Sequence, residues 1–491
     1  MVDVDSAHNA NDILVSKVTI GGMPLKWCSI SLSDVMAKGK RLDASVYDVE
    51  AKQARKTINE GKYAARMVTG KNGMATSYTC GRFKRIWVEE SNFPLYQPSA
   101  IVEIKPTPDG YISKKTKVDI ERLRVHAGQV LLTCSGTIGK VSFVTRTLEK
   151  CIFSHDLLRI DCKEQNDAGY IYTYLKSKIG NKILLTNSYG AVITHIEPEH
   201  LSNIPIPDAP MKIKEKIHNL IARSYSLRDE SNKLIDDATK LLIEELKLPP
   251  INGFNIKKFE ENAQIETFSV KLSNLAGRAD ASYHIPVIDA IIKHLKEHAR
   301  EITSIGDPKI SKNVILPGRF KCVYVEEGYG RVFFGGKQLY ELDPSNRKYL
   351  SIQKHSTRIK SELEITENTL LITRSGTIGK IALAPKHWEH WISSDHMIRV
   401  VPENNDIAGY LYVFLLSNYG HTLITRHTYG SVVDEIDDNH VRQIPIPLLK
   451  NSDIQKRIND FALEANQKRY EAYCLEKEAL TIMDEEIIYA K

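Results

Sequence analysis

The sequence has few cysteines, and none of them forms a pair suited to holding a metal ion. Seven occur among 491 residues, and no two are separated by only two residues. A structural zinc site needs closely spaced ligands, and a disulfide-bonded domain needs an even and denser set of cysteines. We therefore expect reduced packing residues and no metal site at Cys28, Cys80, Cys134, Cys151, Cys162, Cys322 and Cys474.

Long apolar runs and a strong charge of one sign are also missing. No window approaches the roughly 18 uninterrupted apolar residues of a membrane-spanning helix, and the first thirty residues do not resemble a secretion signal. The formal net charge is +6, with 26% charged and 42% hydrophobic residues. These values predict a soluble, cytoplasmic chain of two to four domains, and they are compatible with a polyanionic partner.

The familiar catalytic motifs are absent as well. The sequence has no glycine-rich loop with dinucleotide spacing, no Gly-x-Ser-x-Gly and no His-Glu-x-x-His. It also lacks the Asn-Pro-Pro-Tyr or Asp-Pro-Pro-Tyr tetrapeptide of an adenine methyltransferase. We therefore predict a binding protein that has no catalytic residue and binds no cofactor itself.

The chain contains one sequence pattern twice. Residues 131–207 align with residues 371–447 without a gap, and roughly 28 of about 77 positions are identical. The shared landmarks are SGTIGK at Ser135 and Ser375, AGY at Ala168 and Ala408, YG at Tyr189 and Tyr429, and IPIP at Ile204 and Ile444. Upstream, RLDASVY from Arg41 matches RADASYH from Arg278, and GRFKRIWV from Gly81 matches GRFKCVYV from Gly318. Each copy spans about 190 residues, a normal domain size.

A long amphipathic helix is predicted after each IPIP, because apolar or small residues recur at steps of three and four. Between Met211 and Leu246 they are Ile217, Leu220, Ser224, Leu227, Ser231, Leu234, Ala238 and Leu241. In the second copy they are Ile458, Phe461, Ala465, Ala472, Leu475, Ala479 and Ile482, and only Lys468 breaks the phase. Since the other side of each helix is polar, we expect each to pack against the other or against a helix of another subunit.

Each globular half is predicted to be a mixed α+β domain. Strand-like runs flank the glycine turn in both copies, QVLLT with VSFV and NTLLITR with IALA, which predicts a hairpin. A short amphipathic helix is predicted at AGYIYTYLKSKIG and at AGYLYVFLLSNYG.

The SGTIGK turn does not match a Walker-type phosphate loop. Such a loop has four residues between its glycines and a Ser or Thr after its lysine. Here two residues separate Gly136 from Gly139, and Val141 follows Lys140. A tight turn with unusual glycine backbone angles is the favoured interpretation. The alternative is a DNA-facing turn whose phosphate donors would be Ser135, Thr137, Lys140, Ser375, Thr377 and Lys380.

Histidine and aspartate stand side by side in both copies, but in reversed order, as His155 with Asp156 and Asp395 with His396. If they lie in a strand, where neighbours point to opposite faces, the reversal exchanges the directions of imidazole and carboxylate. A shared catalytic or metal-binding role would not survive that exchange, so we predict partly buried residues with local hydrogen bonds.

A basic and aromatic segment begins near the GRFK of each copy. Its residues are Arg82, Phe83, Lys84, Arg85 and Trp87 in the first copy, and Arg319, Phe320, Lys321 and Tyr324 in the second. Cations that neutralise phosphates beside stacking rings suit a nucleic-acid surface. A strand with Phe inward and Lys outward would give the same pattern. Duplication favours the first interpretation, because two similar domains held apart by helices suit two short sites on one ligand.

The chain resembles the specificity subunits of type I restriction-modification systems. The resemblance rests on two halves that close with YGAVITHIEPEHLSNIPIP (189–207) and YGSVVDEIDDNHVRQIPIP (429–447), each followed by a long helix. The RLDASVY and GRFK segments are instead similar to specificity domains fused to methyltransferases in single-chain enzymes. The order of these features covers nearly the whole chain.

The resemblance implies a domain order. A leader (1–24) precedes a first target recognition domain (25–208) and a spacer helix (209–249). A linker (250–265), a second recognition domain (266–448) and a second spacer helix (449–491) follow.

The resemblance also implies a function without catalysis. Each half would read one part of a split, asymmetric sequence in double-stranded DNA. The contacting residues of this family vary with the target, so none transfers by position; we separately expect Tyr189 and Tyr429 of the repeated YG turns to bind DNA. The two helices would form an antiparallel coiled coil that docks two methyltransferase subunits and possibly restriction-translocase subunits. S-adenosylmethionine is expected in the methyltransferase. The alternatives are the recognition part of a single-chain restriction-modification enzyme and a coiled-coil scaffold that binds only proteins.

Overall fold

The computed structural model describes residues 14–20, 23–27, 30–37, 40, 42, 44–190, 194–254, 268–275, 277–344, 346–430 and 432–490. The predicted leader (1–24) and linker (250–265) lie partly outside these ranges, as do Cys28 and Arg41. The chain divides into two units. The first unit comprises residues 1–226 and 474–491, and the second comprises residues 227–473.

The first unit combines strands and helices as predicted. Its strands are β1 (Leu14–Ile20), β2 (Met23–Trp27), β3 (Ala65–Met67), β4 (Ala75–Tyr78), β5 (Trp87–Val88), β6 (Pro94–Tyr96), β7 (Gly110–Ile112), β8 (Val130–Thr133), β9 (Val141–Phe143), β10 (Ile152–Phe153), β11 (Leu157–Cys162) and β12 (Pro205–Pro207). Its helices are α1 (Leu32–Ala37), α2 (Val49–Asn59), α3 (Ile120–Leu123), α4 (Gln165–Lys176), α5 (Lys178–Leu185), α6 (Pro198–Leu201) and the start of α7 (Met211–Glu245). Two four-stranded sheets have the orders β4-β11-β8-β9 and β10-β6-β7-β5, and β1 pairs with β2 and β3 with β12.

Among the described residues, the second unit repeats all of these sheets except the pair β1-β2. Its strands are β13 (Glu301–Ser304), β14 (Ser311–Ile315), β15 (Tyr324–Val325), β16 (Gly330–Phe334), β17 (Lys348–Ser351), β18 (Leu370–Thr373), β19 (Ile381–Leu383), β20 (Ile392–Ser393), β21 (Met397–Pro402) and β22 (Pro445–Leu448). Its helices are α8 (Pro286–His298), α9 (Ile352–Arg358), α10 (Asn405–Leu416), α11 (Asn418–Thr425), α12 (Asp438–Arg442) and most of α13 (Ser452–Ile482). The orders β14-β21-β18-β19 and β15-β17-β16-β20, with the pair β13-β22, match those of the first unit. The duplication read from the sequence is thus a duplication of fold.

The AGY landmark lies where a buried helix meets a long helix. A Cβ added to Gly169 of α4 would lie 2.6 Å from Cα of His218 in α7. In the second unit, a Cβ added to Gly409 would lie 2.3 Å from the carbonyl oxygen of Asn459. The glycine amides donate to the long helices, Gly169 to Nδ1 of His218 (3.3 Å) and Gly409 to Oδ1 of Asn459 (2.9 Å). Only glycine permits this close helix contact.

The tyrosine of AGY connects that landmark to IPIP. The hydroxyl of Tyr170 donates to the carbonyl oxygen of Pro207 at 2.6 Å, and Tyr410 donates likewise to Pro447. Both tyrosines are fully buried, where an unpaired hydroxyl would be costly. The repeated motifs therefore hold each domain core to the strand that leads into its long helix.

The helices at AGY are not amphipathic, and this prediction is wrong. Residues 167–175 of α4 and 407–415 of α10 are buried without interruption. A helix covered on one side by a sheet and on another by a long helix has no solvent face, so its sequence need not alternate. Each predicted helix is also two helices, because Ser177 and Ser417 end one and cap the next.

The long helices bury a wider face than the predicted seam. In α7, Leu220, Leu234 and Leu241 are only half-buried, whereas the neighbouring Ile221 and Ile235 are fully buried. The reason is that each helix packs against its own domain as well as against the other long helix. The predicted helix runs from Met211 to Glu245, one residue short of Leu246.

Segments of the two long helices contact each other in both units. In the second unit, Nζ of Lys468 lies 2.9 Å from Oε2 of Glu230, so the residue that interrupts the apolar pattern forms an ion pair. In the first unit, Lys216 pairs at 3.5 Å with Glu486, in the π-helix (Met483–Ile488) that directly follows α13. Each long helix therefore has the other as a partner, as predicted.

A buried arginine occupies the same place in both units. Arg159 and Arg399 are at most 1% exposed. Each guanidinium donates to three carbonyl oxygens: Arg159 to Leu157, Leu123 and Phe153, and Arg399 to Met397, Leu363 and Ser393. Burial lowers the pKa of both arginines, that of Arg399 to about 9. These side chains tie the strands of the two sheets together.

Candidate nucleic-acid interface

Each glycine turn joins two antiparallel strands, β8 to β9 in the first unit and β18 to β19 in the second, as predicted. All four glycines have a positive φ, which is 69° at Gly136, 88° at Gly139, 72° at Gly376 and 81° at Gly379. Residues with a Cβ rarely adopt this conformation. The tight-turn interpretation is therefore confirmed.

A threonine at the strand end closes each glycine turn. Oγ1 of Thr133 accepts a hydrogen bond from the amide of Lys140 at 3.0 Å, and Thr373 accepts from Lys380 at 2.9 Å. The ends of each turn are thereby fixed while its middle stays accessible. The exposed turn residues are Gly136, Thr137, Gly376 and Thr377.

The Tyr-Gly turn lies directly beside the glycine turn. Tyr189 and His195 exchange backbone hydrogen bonds of 3.0 and 2.7 Å, and Ser135 forms a β-bridge with His195. Tyr429, Glu435 and Ser375 repeat this arrangement. We call these neighbouring segments the paired turns, which are 135–140 with 189–195 in the first unit and 375–380 with 429–435 in the second. Residues 191–193 and 431 lie outside the described residues.

In the second unit, a carboxylate at the base of the paired turns joins two arginines. Oε2 of Glu435 lies 2.6 Å from Nη2 of Arg374, and Oε1 lies 2.9 Å from Nη2 of Arg319. Arg374 is nearly buried, whereas the side chain of Arg319 is 72% exposed. Nearby, Oγ of Ser375 lies within 2.7 Å of Nδ1 of His396. Two arginines and one carboxylate leave this cluster with a charge of +1.

The first unit has different side chains at the same positions. Cys134 and His195 stand where the second unit has Arg374 and Glu435, so no carboxylate bridges two cations. Instead, the hydroxyl of Tyr189 donates to Oε1 of Glu197 at 2.6 Å. This hydrogen bond raises the pKa of Tyr189, while the positive charge of Arg82 acts to lower it. Arg82 therefore lies near the paired turns of its own unit.

The His-Asp neighbours lie between strands, in a bend at His155 and Asp156 and in a turn at Asp395 and His396, so the assumption that they occupy a strand is wrong. Nε2 of His155 lies 3.3 Å from Oδ2 of Asp156, whereas His396 bonds to Ser375. Burial lowers the pKa of His155, Asp156 opposes the shift, and Arg85 and Arg82 add to it. The predicted local hydrogen bond is present at His396, whereas Nδ1 of His155 is buried without a hydrogen-bond partner, so the two copies differ.

The GRFK segments combine both predicted patterns. Phe83 and Phe320 pack against small apolar clusters, while Lys84 and Lys321 are exposed. This alternation is the one expected of a strand, although the strands begin only at Trp87 and Tyr324. The rings at those two equivalent positions are 47% and 46% exposed. Each lies near a cation: Arg85 is 5.9 Å from the ring of Trp87 and Lys348 is 5.1 Å from that of Tyr324.

The structure brings together only part of the predicted residue set. Ser135 and Tyr189 belong to the first paired turns, and Arg82 lies near Tyr189. Ser375 and Tyr429 belong to the second, and Arg319 contacts Glu435. Arg85 lies instead near His155 and the ring of Trp87. Among the described residues, no hydrogen bond or ion pair links Lys84 or Lys321 to the paired turns. The ammonium of Lys380 lies 5.1 Å from the ring of Tyr340.

Three residues of these clusters were not predicted, namely His195, Arg374 and Glu435. Their signal was present in the sequence, because a neutral residue aligns with a charged one at Cys134 and Arg374 and His195 aligns with Glu435 inside the matched repeat. Positions that differ within a matching framework are where two domains with different ligands must diverge.

The described part of the chain contains no group of three or more His, Cys, Asp or Glu residues placed to hold a metal ion. Within the same residues, no helix is both long and apolar enough to span a bilayer.

Comparison with known proteins identifies the family. The family model described as the type I restriction modification DNA specificity domain matches residues 79–235 and 325–472, more than half of the chain. A search of curated proteins gives no match. Three solved structures are similar over most of their length.

The S subunit of a type I restriction-modification system from M. genitalium is 12% identical, with a TM-score of 0.34, and the match covers 87% of this chain and 95% of that one. The HsdS subunit from Thermoanaerobacter tengcongensis is 14% identical, with a TM-score of 0.27 and coverage of 87% and 100%. A structure of the type I R-M system, concerned with its complex assembly and conformational transition, is 15% identical, with a TM-score of 0.27 and coverage of 83% and 94%. On the family match, this chain belongs to the type I restriction-modification DNA specificity family and carries two DNA specificity domains.

Proposed function

We propose that this chain is the non-catalytic reading subunit of a type I restriction-modification complex. Each unit reads one part of a bipartite, asymmetric sequence in double-stranded DNA. The observation that carries this proposal is the construction of the paired turns twice on matching sheets, with different side chains at their base. A matched framework with diverged contact residues is what two different half-sites require.

The proposed domains follow the order inferred from the sequence. They are a leader (1–24), a first recognition domain (25–208), a spacer helix (209–249), a linker (250–265), a second recognition domain (266–448) and a final helix (449–491). We assign DNA contact to Arg82, Lys84, Arg85, Ser135, Thr137, Lys140, Tyr189, Arg319, Lys321, Ser375, Thr377, Lys380 and Tyr429. Exposed cations beside exposed turns support this assignment for the residues nearest the paired turns.

The long helices complete the proposal. We assign them to an antiparallel coiled coil that docks two methyltransferase subunits, to which restriction-translocase subunits can be added. S-adenosylmethionine belongs to the methyltransferase partners. The ion pair between α7 and α13 in the second unit, and the one between α7 and the helical segment that follows α13 in the first unit, support the coil.

Helix length predicts the spacing of the target. A helix of 35 residues such as α7 is about 52 Å long at about 1.5 Å per residue, or roughly 15 base pairs at about 3.4 Å each. The half-site centres should therefore be separated by somewhat more than one turn of the duplex. Deleting one heptad from both helices should shorten or destroy the spacing, and an unchanged gap in the methylated sites would contradict this role.

Two assays test the proposal. The purified chain, incubated alone with duplex DNA and a labelled methyl donor, should transfer no methyl group. Transfer would instead identify an enzyme with an unrecognised active site. Sequencing of methylated sites in cells that express the chain with a partner methyltransferase should then give a two-part motif with an unread gap. A chain that shows no salt-sensitive duplex binding would be a protein-binding scaffold.

A further inference from the structure

The paired turns of the second unit carry an acidic residue on a surface that is proposed to face a polyanion. Glu435 is the last residue of the Tyr-Gly turn, and its backbone is held by hydrogen bonds of 2.9 and 2.8 Å with Tyr429. The amide of the next residue, Ile436, donates to the carbonyl oxygen of Arg374 at 2.9 Å. The backbone at Glu435 is therefore tied to both neighbouring segments.

The carboxylate of Glu435 is fixed from its buried side. Its Oε2 atom lies 2.6 Å from Arg374, whose side chain is only 10% exposed. Charge-assisted hydrogen bonds of this length are strong when both groups are shielded from water. The carboxylate thus has a defined position before any ligand arrives.

Arg319 uses the other oxygen of that carboxylate. An exposed ion pair alone contributes little, because a long side chain must be ordered in water. Here one partner is already ordered, so the bond selects a position for the guanidinium. Arginine has five N–H donors, and this contact uses one nitrogen, Nη2. The other donors belong to a side chain that is largely exposed beside the paired turns.

We propose that Glu435 is a positioning residue that holds Arg319 ready to read a guanine in the half-site of the second unit. A guanidinium donates to O6 and N7 of guanine in the major groove, the commonest specific contact between arginine and DNA. Pre-ordering by Glu435 reduces the entropy lost when that contact forms. The inference rests on the proposed function. It adds that the base read is a guanine and that Glu435 orients the arginine that reads it.

The first unit lacks this arrangement. His195 stands in place of Glu435 and Cys134 in place of Arg374, so Arg82 has no equivalent carboxylate bridge. Arg82 is the counterpart of Arg319 in the GRFK segment. On this proposal Arg82, which lacks such a bridge, contacts a phosphate and holds the duplex without selecting a base.

The substitution Glu435→Gln distinguishes positioning from simple electrostatics. It removes one negative charge, so a surface that only attracts phosphates would bind every duplex more tightly. A positioning role predicts instead that discrimination against replacement of one guanine falls by roughly tenfold. Affinity for unrelated duplexes should stay the same or rise.

The experiment uses the purified full chain and a duplex with its selected target. Binding is measured for that duplex, for each single base-pair change, and for an unrelated duplex. The matched control is His195→Gln, which places the same residue at the equivalent position of the first unit. It should leave discrimination in the second half-site unchanged. Arg319→Lys keeps the charge but loses the planar donors, and it should remove discrimination at the same guanine as Glu435→Gln.

The outcomes separate the inference from the proposed function. If the wild-type chain discriminates and E435Q discriminates equally at every base pair, the inference is overturned and the function stands. The inference also fails if E435Q lowers binding to all duplexes by the same factor, or if R319K discriminates normally. A wild-type chain that binds all duplexes equally overturns the proposed function, and the inference with it.

Discussion

The two units share a scaffold but differ at its exposed end. Their sheets have the same strand orders, and their AGY and IPIP motifs make the same hydrogen bonds. At the paired turns, Cys134 and His195 of the first unit correspond to Arg374 and Glu435 of the second. These differences change the surface chemistry at the base of the paired turns, while the hydrogen bonds that hold the AGY and IPIP motifs are the same in both units. Such a division allows a duplicated domain to acquire a new ligand without losing its fold.

The largest loss of stability in the shared scaffold is expected from substitution of its buried arginines. Arg399→Met removes three buried hydrogen bonds to carbonyl oxygens and should destabilise the second unit by about 3–5 kcal/mol. Arg159→Met should do the same in the first unit. Urea unfolding followed by hydrogen exchange of β8 and β18 assigns the loss to a unit.

An exposed cation provides the control for that prediction. Lys321→Met should change the free energy of unfolding by less than about 0.5 kcal/mol. A loss of stability below about 1 kcal/mol in Arg399→Met would show that the buried arginine does not hold the sheets together.

The close helix contacts should give the next largest effect. Gly409→Ala places a Cβ against the backbone oxygen of Asn459 and should cost about 2–3 kcal/mol of unfolding free energy. Gly376→Ala places its Cβ in open space and carries only the strain of a positive φ, about 1 kcal/mol. Thermal unfolding of both variants checks this order, and a larger cost for Gly376→Ala would contradict it.

A fall in pH should change the stability of the two units differently, because one buried titratable residue differs between them. His427 is buried where the first unit has Asn187. Burial, with Arg426, His440 and Arg278 nearby, lowers the pKa of His427 to about 3. Its unfolded value is about 6.5, so the unfolded chain binds a proton that the folded chain does not.

The sign of the pH effect follows from that difference. The stability that depends on neutral His427 is fully present above about pH 6.5. It falls as the pH drops toward 3, by at most about 1.4 kcal/mol per pH unit. His427→Asn should flatten this slope in the second unit between pH 6.5 and 5, measured by urea unfolding. An unchanged slope would mean that His427 is not the responsible group.

The smallest effect is expected at Arg82. If it contacts a phosphate, Arg82→Ala should weaken binding to all duplexes by a similar factor and lower the slope of log affinity against log salt by about 0.9. Titrations at several salt concentrations measure this slope. A loss confined to one base pair would assign Arg82 to base reading instead.

Much of this architecture was readable from the sequence. The duplication, the glycine-turn hairpins and the two long helices follow from repeated motifs and apolar spacing, which depend on local chemistry. The buried helices α4 and α10 were misjudged as amphipathic, because burial on several sides is decided by distant elements. Lys468 looked like an interruption because its partner Glu230 is far away in the sequence.

The candidate site was only partly predictable for the same reason. Arg319 and Glu435 are separated by more than a hundred residues, and no local pattern joins them. The bridges from Ser135 to His195 and from Ser375 to Glu435 bring together motifs that the sequence presents as separate. The contacts that the sequence could not predict are those made by long-range pairing of strands and turns.

The central claim is that equivalent paired turns read different half-sites. Its most direct test is selection from randomised duplexes by the wild-type chain and by a variant that carries Arg374→Cys and Glu435→His, the residues of the first unit. The wild-type chain should select two sequence blocks separated by an unread gap, and the variant should change the block of the second unit alone. Selection of a single block, or a change in both blocks at once, would contradict the claim.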